Sequence, residues 1–192
     1  MILYLHGFAS CGNSTKTKLL KHYFGKENVI APDLPVDPVE AVDFIRRQIF
    51  EHDIDLIIGS SLGGFYATYF TEMYGIKTVL INPSTQPFIT LAPYVGTNHF
   101  WCSGEPFEFA REHLESLFEF AVGQLNAPNR YLVLLQTGDE LLDYTKAQEK
   151  YEGATVLVEE GGNHRFENLD DYLEQITLFR KRRMQKSADR SI

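Results

Sequence analysis

The chain has 192 residues, 44% of them hydrophobic, and a formal net charge of −8 at pH 7. A chain of this length buries roughly 70% of its unfolded surface as one domain, and its hydrophobic content excludes a disordered polymer. Six basic residues and one acid between Arg180 and Arg190 leave a charge of −13 on the body before them, a balance that argues against nucleic acid as partner.

Alternating strand and helix patterns run the length of the chain. Ile2-Leu3-Tyr4-Leu5 reads as a buried strand, followed by the loop His6-Gly7-Phe8-Ala9-Ser10 and a helix over 14–24. A strand at 28–31 leads into Ala31-Pro32-Asp33-Leu34-Pro35, where Asp33 either lines a pocket mouth or fixes a strand-end turn. The helix over 38–52 has its entry written into the sequence: Asp37 as N-cap, Pro38 at the first helical position and Glu40 placed for a capping box. Val42, Ile45 and Ile49 make its buried stripe. A strand at 54–58, a helix at 62–74 and a strand at 77–81 follow.

About 50 residues then separate the fourth strand from the fifth at 131–136, more than one crossover helix needs. This insertion, 84–129, is rich in aromatics and reads as a short helical cap. Ala110, Leu114, Leu117, Phe118, Ala121 and Leu125 recur at helical spacing and predict a helix over 108–125, while the irregular Pro and Gly spacing of 88–107 fits a lid. A helix at 143–151, a last strand at 154–158 and a helix at 167–183 complete the pattern. The last helix carries a stripe of Leu169, Tyr172, Leu173, Ile176 and Phe179 that packs it beneath the preceding loop. Six mostly parallel strands with helices on both faces are expected, as a single domain over 1–183 with a disordered basic tail at 184–192.

Chemistry concentrates at three strand ends. Gly59-Ser60-Ser61-Leu62-Gly63-Gly64 follows the apolar run 54–58 and opens a helix, so it reads as a nucleophile elbow or as a structural Gly-Ser turn. Only Ser61 has glycine two positions to either side. The fifth strand ends in Thr137-Gly138-Asp139-Glu140, where Asp139 is the preferred acid because it follows the turn glycine directly. Glu140 and Asp143 compete for that role, although Asp143 is also placed to cap the next helix. The last strand ends in Gly161-Gly162-Asn163-His164, and the glycine pair permits a tight loop that returns the imidazole of His164 towards Ser61. A neutral imidazole is what a serine hydroxyl needs to become a nucleophile at neutral pH. The backbone N–H groups of Leu62, at a helix N-terminus, and Phe8, after the first strand, are the candidate oxyanion donors.

These blocks, with Tyr4-Leu5-His6-Gly7-Phe8 and Ile81-Asn82-Pro83, resemble the YqiA-type (UPF0227-like) small bacterial esterases of the α/β-hydrolase superfamily. The resemblance runs in register from residue 2 to about 166 and is weakest from Phe100 to Asn129. It implies a minimal α/β-hydrolase fold and a cytoplasmic serine esterase acting on carboxylic acyl esters or acyl-CoA thioesters, with Ser61, Asp139 and His164 as its triad. It also favours Asp139 over its two neighbours. An acyltransferase would use the same residues, and a hydrolase fold retained as a binding module stays open as a different class.

His6, Phe88, Tyr94 and Trp101 are candidate pocket residues, His6 being more often a hydrogen-bonded structural group after a buried strand. His22, His52, His99 and His113 lack metal-ligand spacing, and no phosphate-loop lysine follows Gly59, so no metal or cofactor is expected. Cys11 and Cys102 read as reduced thiols. The expected substrate is small, with no leader segment and no apolar run of the roughly 20 residues that cross a bilayer. Arg180-Lys181-Arg182-Arg183 reads as a solvated helix end or a weak anion contact.

Overall fold

The computed structural model describes residues 1–182, so the expected basic tail at 184–192 lies outside the described residues. In chain order the elements are β1 (Ile2–Leu5), α1 (Thr15–Phe24), β2 (Val29–Ile30), α2 (Pro38–Glu51), β3 (Leu56–Ser60), α3 (Leu62–Tyr74), β4 (Lys77–Ile81), α4 (Pro87–Thr90), β5 (Gly96–His99), β6 (Pro106–Phe109), α5 (Arg111–Ser116), β7 (Tyr131–Gln136), α6 (Tyr144–Lys150), β8 (Thr155–Glu159) and α7 (Leu173–Lys181). Six strands form one sheet in the order β2-β1-β3-β4-β7-β8. Every pairing in it is parallel, with Leu5 beside Gly59 and Ile81 beside Leu134.

Parallel strands are joined by crossovers that cover both faces, which is why their sequences run apolar without a break. Alternate residues sort to the two sides. Leu3, Leu5, Ile57, Leu80 and Val133 pack against α2, α3 and α6, while Ile2, Tyr4, Ile58, Val79 and Leu132 pack against α1 and α7. The α2 entry has the expected cap and first-turn proline, the Asp37 carboxylate accepting from the N–H groups of Val39 and Glu40, while the Glu40 carboxylate does not return to the Asp37 N–H to close a capping box. The stripe of Leu169, Leu173, Ile176 and Phe179 is buried, and Tyr172 meets Phe166 of the preceding loop edge to face at 5.3 Å.

Strand order reverses between β1 and β3, because β2 lies to one side of β1 and all later strands lie to the other. Loops leaving β1 and β3 therefore diverge and open a crevice at the carboxyl ends of the strands, the usual place for a ligand in an open α/β sheet.

The insertion between β4 and β7 departs from the sequence expectation. The helix expected over 108–125 is reduced to α5 and a 3-10 turn at Leu117–Phe120, and an antiparallel hairpin of β5 and β6 stands before it. Phe107-Glu108-Phe109 explains the difference. Its alternation gives β6 one buried face, Phe109 being buried while Glu108 is exposed. Leu114 and Leu117 do pack inward, but Phe118 of the same expected stripe is 67% exposed.

Among the described residues no helix is long and apolar enough to cross a membrane. At the end of α7, Arg180 pairs with Asp55 through contacts of 2.8 to 3.1 Å, which fastens the helix to the segment before β3.

Candidate active site

Ser61 sits between β3 and α3 in a conformation that L-residues rarely adopt, with φ 54° and ψ −120°. The turn is held from three sides: the Ser61 N–H donates to the Ile81 carbonyl, and its carbonyl accepts from the N–H groups of Gly64 and Ser84. A Cβ on Gly59 would lie 2.5 Å from the Gly63 carbonyl oxygen, and one on Gly63 would lie 2.1 Å from that of Leu5. The bracketing glycines are thus a steric condition for α3 to leave β3 so close to β1. Ser60, the neighbouring hydroxyl, ends β3 and is buried.

The β8–α7 loop brings His164 over this turn. Gly161 and Gly162 take φ values of 79° and 72°, which glycine adopts without a Cβ clash. His164 Nε2 then lies 3.0 Å from Ser61 Oγ, and Nδ1 lies 3.0 and 2.9 Å from the two carboxylate oxygens of Asp139. With Nδ1–H donating to Asp139, Nε2 is left to accept the Ser61 hydroxyl proton. The Asp139 side chain is only 2% exposed, and its Oδ1 also accepts from the N–H groups of Leu141 and Leu142.

The competing carboxylates have other partners. Asp143 caps α6 by accepting from the Thr145 N–H and hydroxyl. Glu140 accepts from the His164 N–H at 2.9 Å, a contact that also holds its carboxyl below the usual glutamate range. It steadies the backbone of the histidine loop while Asp139 engages the ring.

Of the two expected oxyanion amides, that of Leu62 opens α3 and has no acceptor within the helix. Phe8 lies in the loop closed by Ser10 N–H donating to the Gly7 carbonyl. A Cβ on Gly7 would stand 3.5 Å from Ser61 Oγ, so this loop and the serine are in near contact.

His6 takes the structural role. Its Nε2 accepts from Leu34 N–H at 3.0 Å and its Nδ1–H donates to the Gly7 carbonyl, while burial lowers its pKa and favours this neutral form. Asp33 does not close a local turn: its carboxylate accepts from Gly12 N–H and so ties the segment after β2 to the loop before α1. Tyr94 and Phe88 pack on other rings, Tyr94 against Phe8 at 5.7 Å and Phe88 against Phe118 at 5.0 Å. Trp101, expected in the pocket, is not there: the residue is 79% exposed in the turn between β5 and β6, and its backbone N–H donates to the Ala9 carbonyl. That contact also brings the two thiols together, where burial and the neighbouring Cys102 push the Cys11 thiol up to about 11. Among the described residues no group of three or more His, Cys, Asp or Glu side chains is placed to hold a metal.

Two buried amides have a role that the sequence pattern does not reveal. Asn82, at the end of β4, adopts φ 39°; its Nδ2 donates to the carbonyls of Asn163 and His164, and its Oδ1 accepts from Gln136 N–H. Gln136 accepts from Asn163 N–H and donates to Glu159 and Asn168. Together they fasten the histidine loop to the ends of β4 and β7. The available signal was Asn82 itself, a polar residue tolerant of positive φ directly after an apolar strand. Asn82→Asp, which turns a carboxylate oxygen towards two carbonyls, is expected to destabilise the protein by about 2 kcal/mol. A urea midpoint equal to that of the wild type would show that the clamp contributes nothing.

The parallel sheet, the strained serine turn and the loops converging on it define an α/β-hydrolase fold. A protein of Agrobacterium vitis S4 superposes with a TM-score of 0.76 at 18% identity, over 94% of this chain and 87% of that one. Est1E from Butyrivibrio proteoclasticus, solved with ferulic acid bound, superposes with a TM-score of 0.63 at 13% identity, over 94% and 86%. The family model described as "Uncharacterised protein family (UPF0227)" matches residues 1–181, and the chain belongs to that family. A UPF0227 protein of Vibrio parahaemolyticus is 28% identical over 190 residues, covering 94% of this chain and 99% of the relative.

Proposed function

We propose that the protein is a serine hydrolase that cleaves small carboxylic acyl esters or thioesters through an acyl-enzyme. The carrying observation is the continuous hydrogen-bond path from Ser61 Oγ to His164 Nε2 and from His164 Nδ1 to Asp139. Ser61 Oγ attacks the carbonyl carbon as His164 takes its proton. The negative charge that builds on the carbonyl oxygen faces the N–H groups of Phe8 and Leu62, donors worth a few kcal/mol each when preorganised. His164 returns the proton to the departing alcohol or thiol. Water, activated by the same imidazole, then releases the acid and regenerates Ser61.

The buried Asp139 holds the imidazole in the tautomer this sequence of transfers requires and stabilises the imidazolium between them. Solved neighbours of this fold include esterases and a monoacylglycerol lipase, which supports the choice of ester chemistry. An acyltransferase would differ only in the acceptor that enters in place of water.

p-Nitrophenyl esters tested on wild type and Ser61→Ala, with a fluorophosphonate probe alongside, decide the reading. Turnover and labelling present in the wild type and lost in a folded Ser61→Ala protein are expected. A folded wild type that neither turns over nor labels would point to a hydrolase fold used for binding alone.

A further inference from the structure

One recess opens beside the serine, and no residue of the His164 loop lines it. It is narrow, with about 30 Å3 open to the centres of water-sized spheres, and it widens into a solvent-facing mouth. Gly7 and Leu62, the residues flanking Ser61 in space and in sequence, belong to its lining, and the deeper walls are Phe8, Leu34, Val36, Tyr66, Phe100 and Phe107. Four elements far apart in the chain supply its lining: the loop after β1, the segment after β2, the first turns of α3, and the β5–β6 hairpin.

We infer that this recess binds the acyl part of the substrate, that the acyl group it takes is uncharged and apolar, and that Val36 and Phe107 set how long it is. The inference rests on the serine-hydrolase reading. Three substituents surround a carbonyl carbon under attack, and the site sorts them. The carbonyl oxygen must face the amides of Phe8 and Leu62. The leaving atom must lie within reach of His164 Nε2, which gives it a proton. The acyl carbon therefore points away from the histidine, and no residue of the loops bearing Asp139 or His164 lines the recess on that side.

The chemistry of the walls selects the occupant. No Asp, Glu, Lys or Arg lines the recess, and its one imidazole, His6, has both nitrogens committed to Leu34 N–H and the Gly7 carbonyl. A carboxylate or ammonium on the acyl chain would lose its water there and meet no opposite charge, with the hydroxyls of Ser10 and Tyr66 as its side-chain partners, whereas an apolar chain gains from burial. A charged leaving group, such as one carrying phosphates, would stay on the open side. Tyr66 forms a floor only 2% exposed. Phe107 stands against Phe100 at 4.4 Å and Phe8 at 5.5 Å between ring centroids, so the hairpin closes the recess as an aromatic wall.

The test is a set of p-nitrophenyl esters from acetate to octanoate, together with the hemisuccinate as a charged counterpart of the valerate. The set is run on wild type, Val36→Trp and Phe107→Ala, with fluorophosphonate labelling of each. We expect wild type to prefer valerate to hemisuccinate by tenfold or more in kcat/KM, the order of discrimination a hydrophobic pocket achieves. Val36→Trp should lower the butyrate-to-acetate ratio by about tenfold, and Phe107→Ala should shift the optimum to longer chains. Ratios unchanged in both variants, in proteins that still label at Ser61, would overturn the recess as the acyl site. Equal use of hemisuccinate and valerate by the wild type, a measurement that needs no variant, would overturn its chemistry. Absence of both labelling and turnover in a folded wild type would instead remove the serine reading, and this inference with it.

Discussion

Asp139→Asn is expected to lower ester turnover by roughly 10⁴-fold, because an amide in place of the carboxylate no longer holds His164 in the tautomer that accepts the Ser61 proton. The neighbouring carboxylates supply the contrast. Asp143→Asn keeps a side-chain oxygen at the N-cap of α6 and should cost only a few tenths of a kcal/mol with turnover near wild type. Glu140→Gln retains an acceptor for the His164 N–H and should slow the reaction by about threefold at most, since the contact is exposed and steadies backbone alone. Measuring kcat/KM for the three side by side on one p-nitrophenyl ester separates them. A deficit of the Asp139 size in Asp143→Asn, with Asp139→Asn active, would reverse the assignment of the acid.

Gly63→Ala is expected to be the most damaging single methyl in the protein. The added Cβ would meet Leu5 carbonyl oxygen at 2.1 Å, Leu5 carbonyl carbon at 2.5 Å and His6 carbonyl oxygen at 2.6 Å, all backbone atoms that no rotamer change can move. Relief requires α3 to lift away from β1, which takes the Leu62 amide and the Ser61 turn with it. A loss of about 4 kcal/mol or more follows, at the upper end for one substitution. Gly104→Ala is the control. Nothing lies within 4 Å of its added Cβ, and only the positive φ of 74° opposes it, a penalty of about 1 kcal/mol. Chemical denaturation of both variants gives the comparison, and equal midpoints would mean that the approach of α3 to β1 is looser than described.

The sheet was legible because the central strands β1, β3, β4 and β7 are buried on both faces, and each writes itself as a short apolar run ended by glycine, proline or a polar pair. The site was legible for a related reason. Ser61 carries its steric requirements next to it as Gly59 and Gly63, and His164 carries the glycine pair that turns its loop. Asp139 was less so, since three carboxylates lie within five residues and the choice depends on which of them faces the ring. The clamp made by Asn82 was not readable at all as a clamp: its partners Asn163 and His164 are remote in sequence, and only the pairing of β4 with β7 and of β7 with β8 brings them near. The cap shows the limit of periodicity. Over a few residues Phe107 and Phe109 satisfy a strand, while the residues after them suit a helix, and the packing of the hairpin against Phe8 decides between the two.

Strand order also divides the site by time. Ser61 and both proposed amide donors lie on or beside β1, β3 and α3, all of them before residue 75, whereas Asp139 and His164 follow β7 and β8. β4 and β7 are neighbours in the sheet, yet residues 82–130 lie between them. Docking β7 means closing that excursion before its contacts are gained, an entropic cost that slows the formation of non-local sheets. The serine turn is therefore expected to take shape before its proposed base arrives, and reactivity at Ser61 to report on the last strands to join rather than on the first.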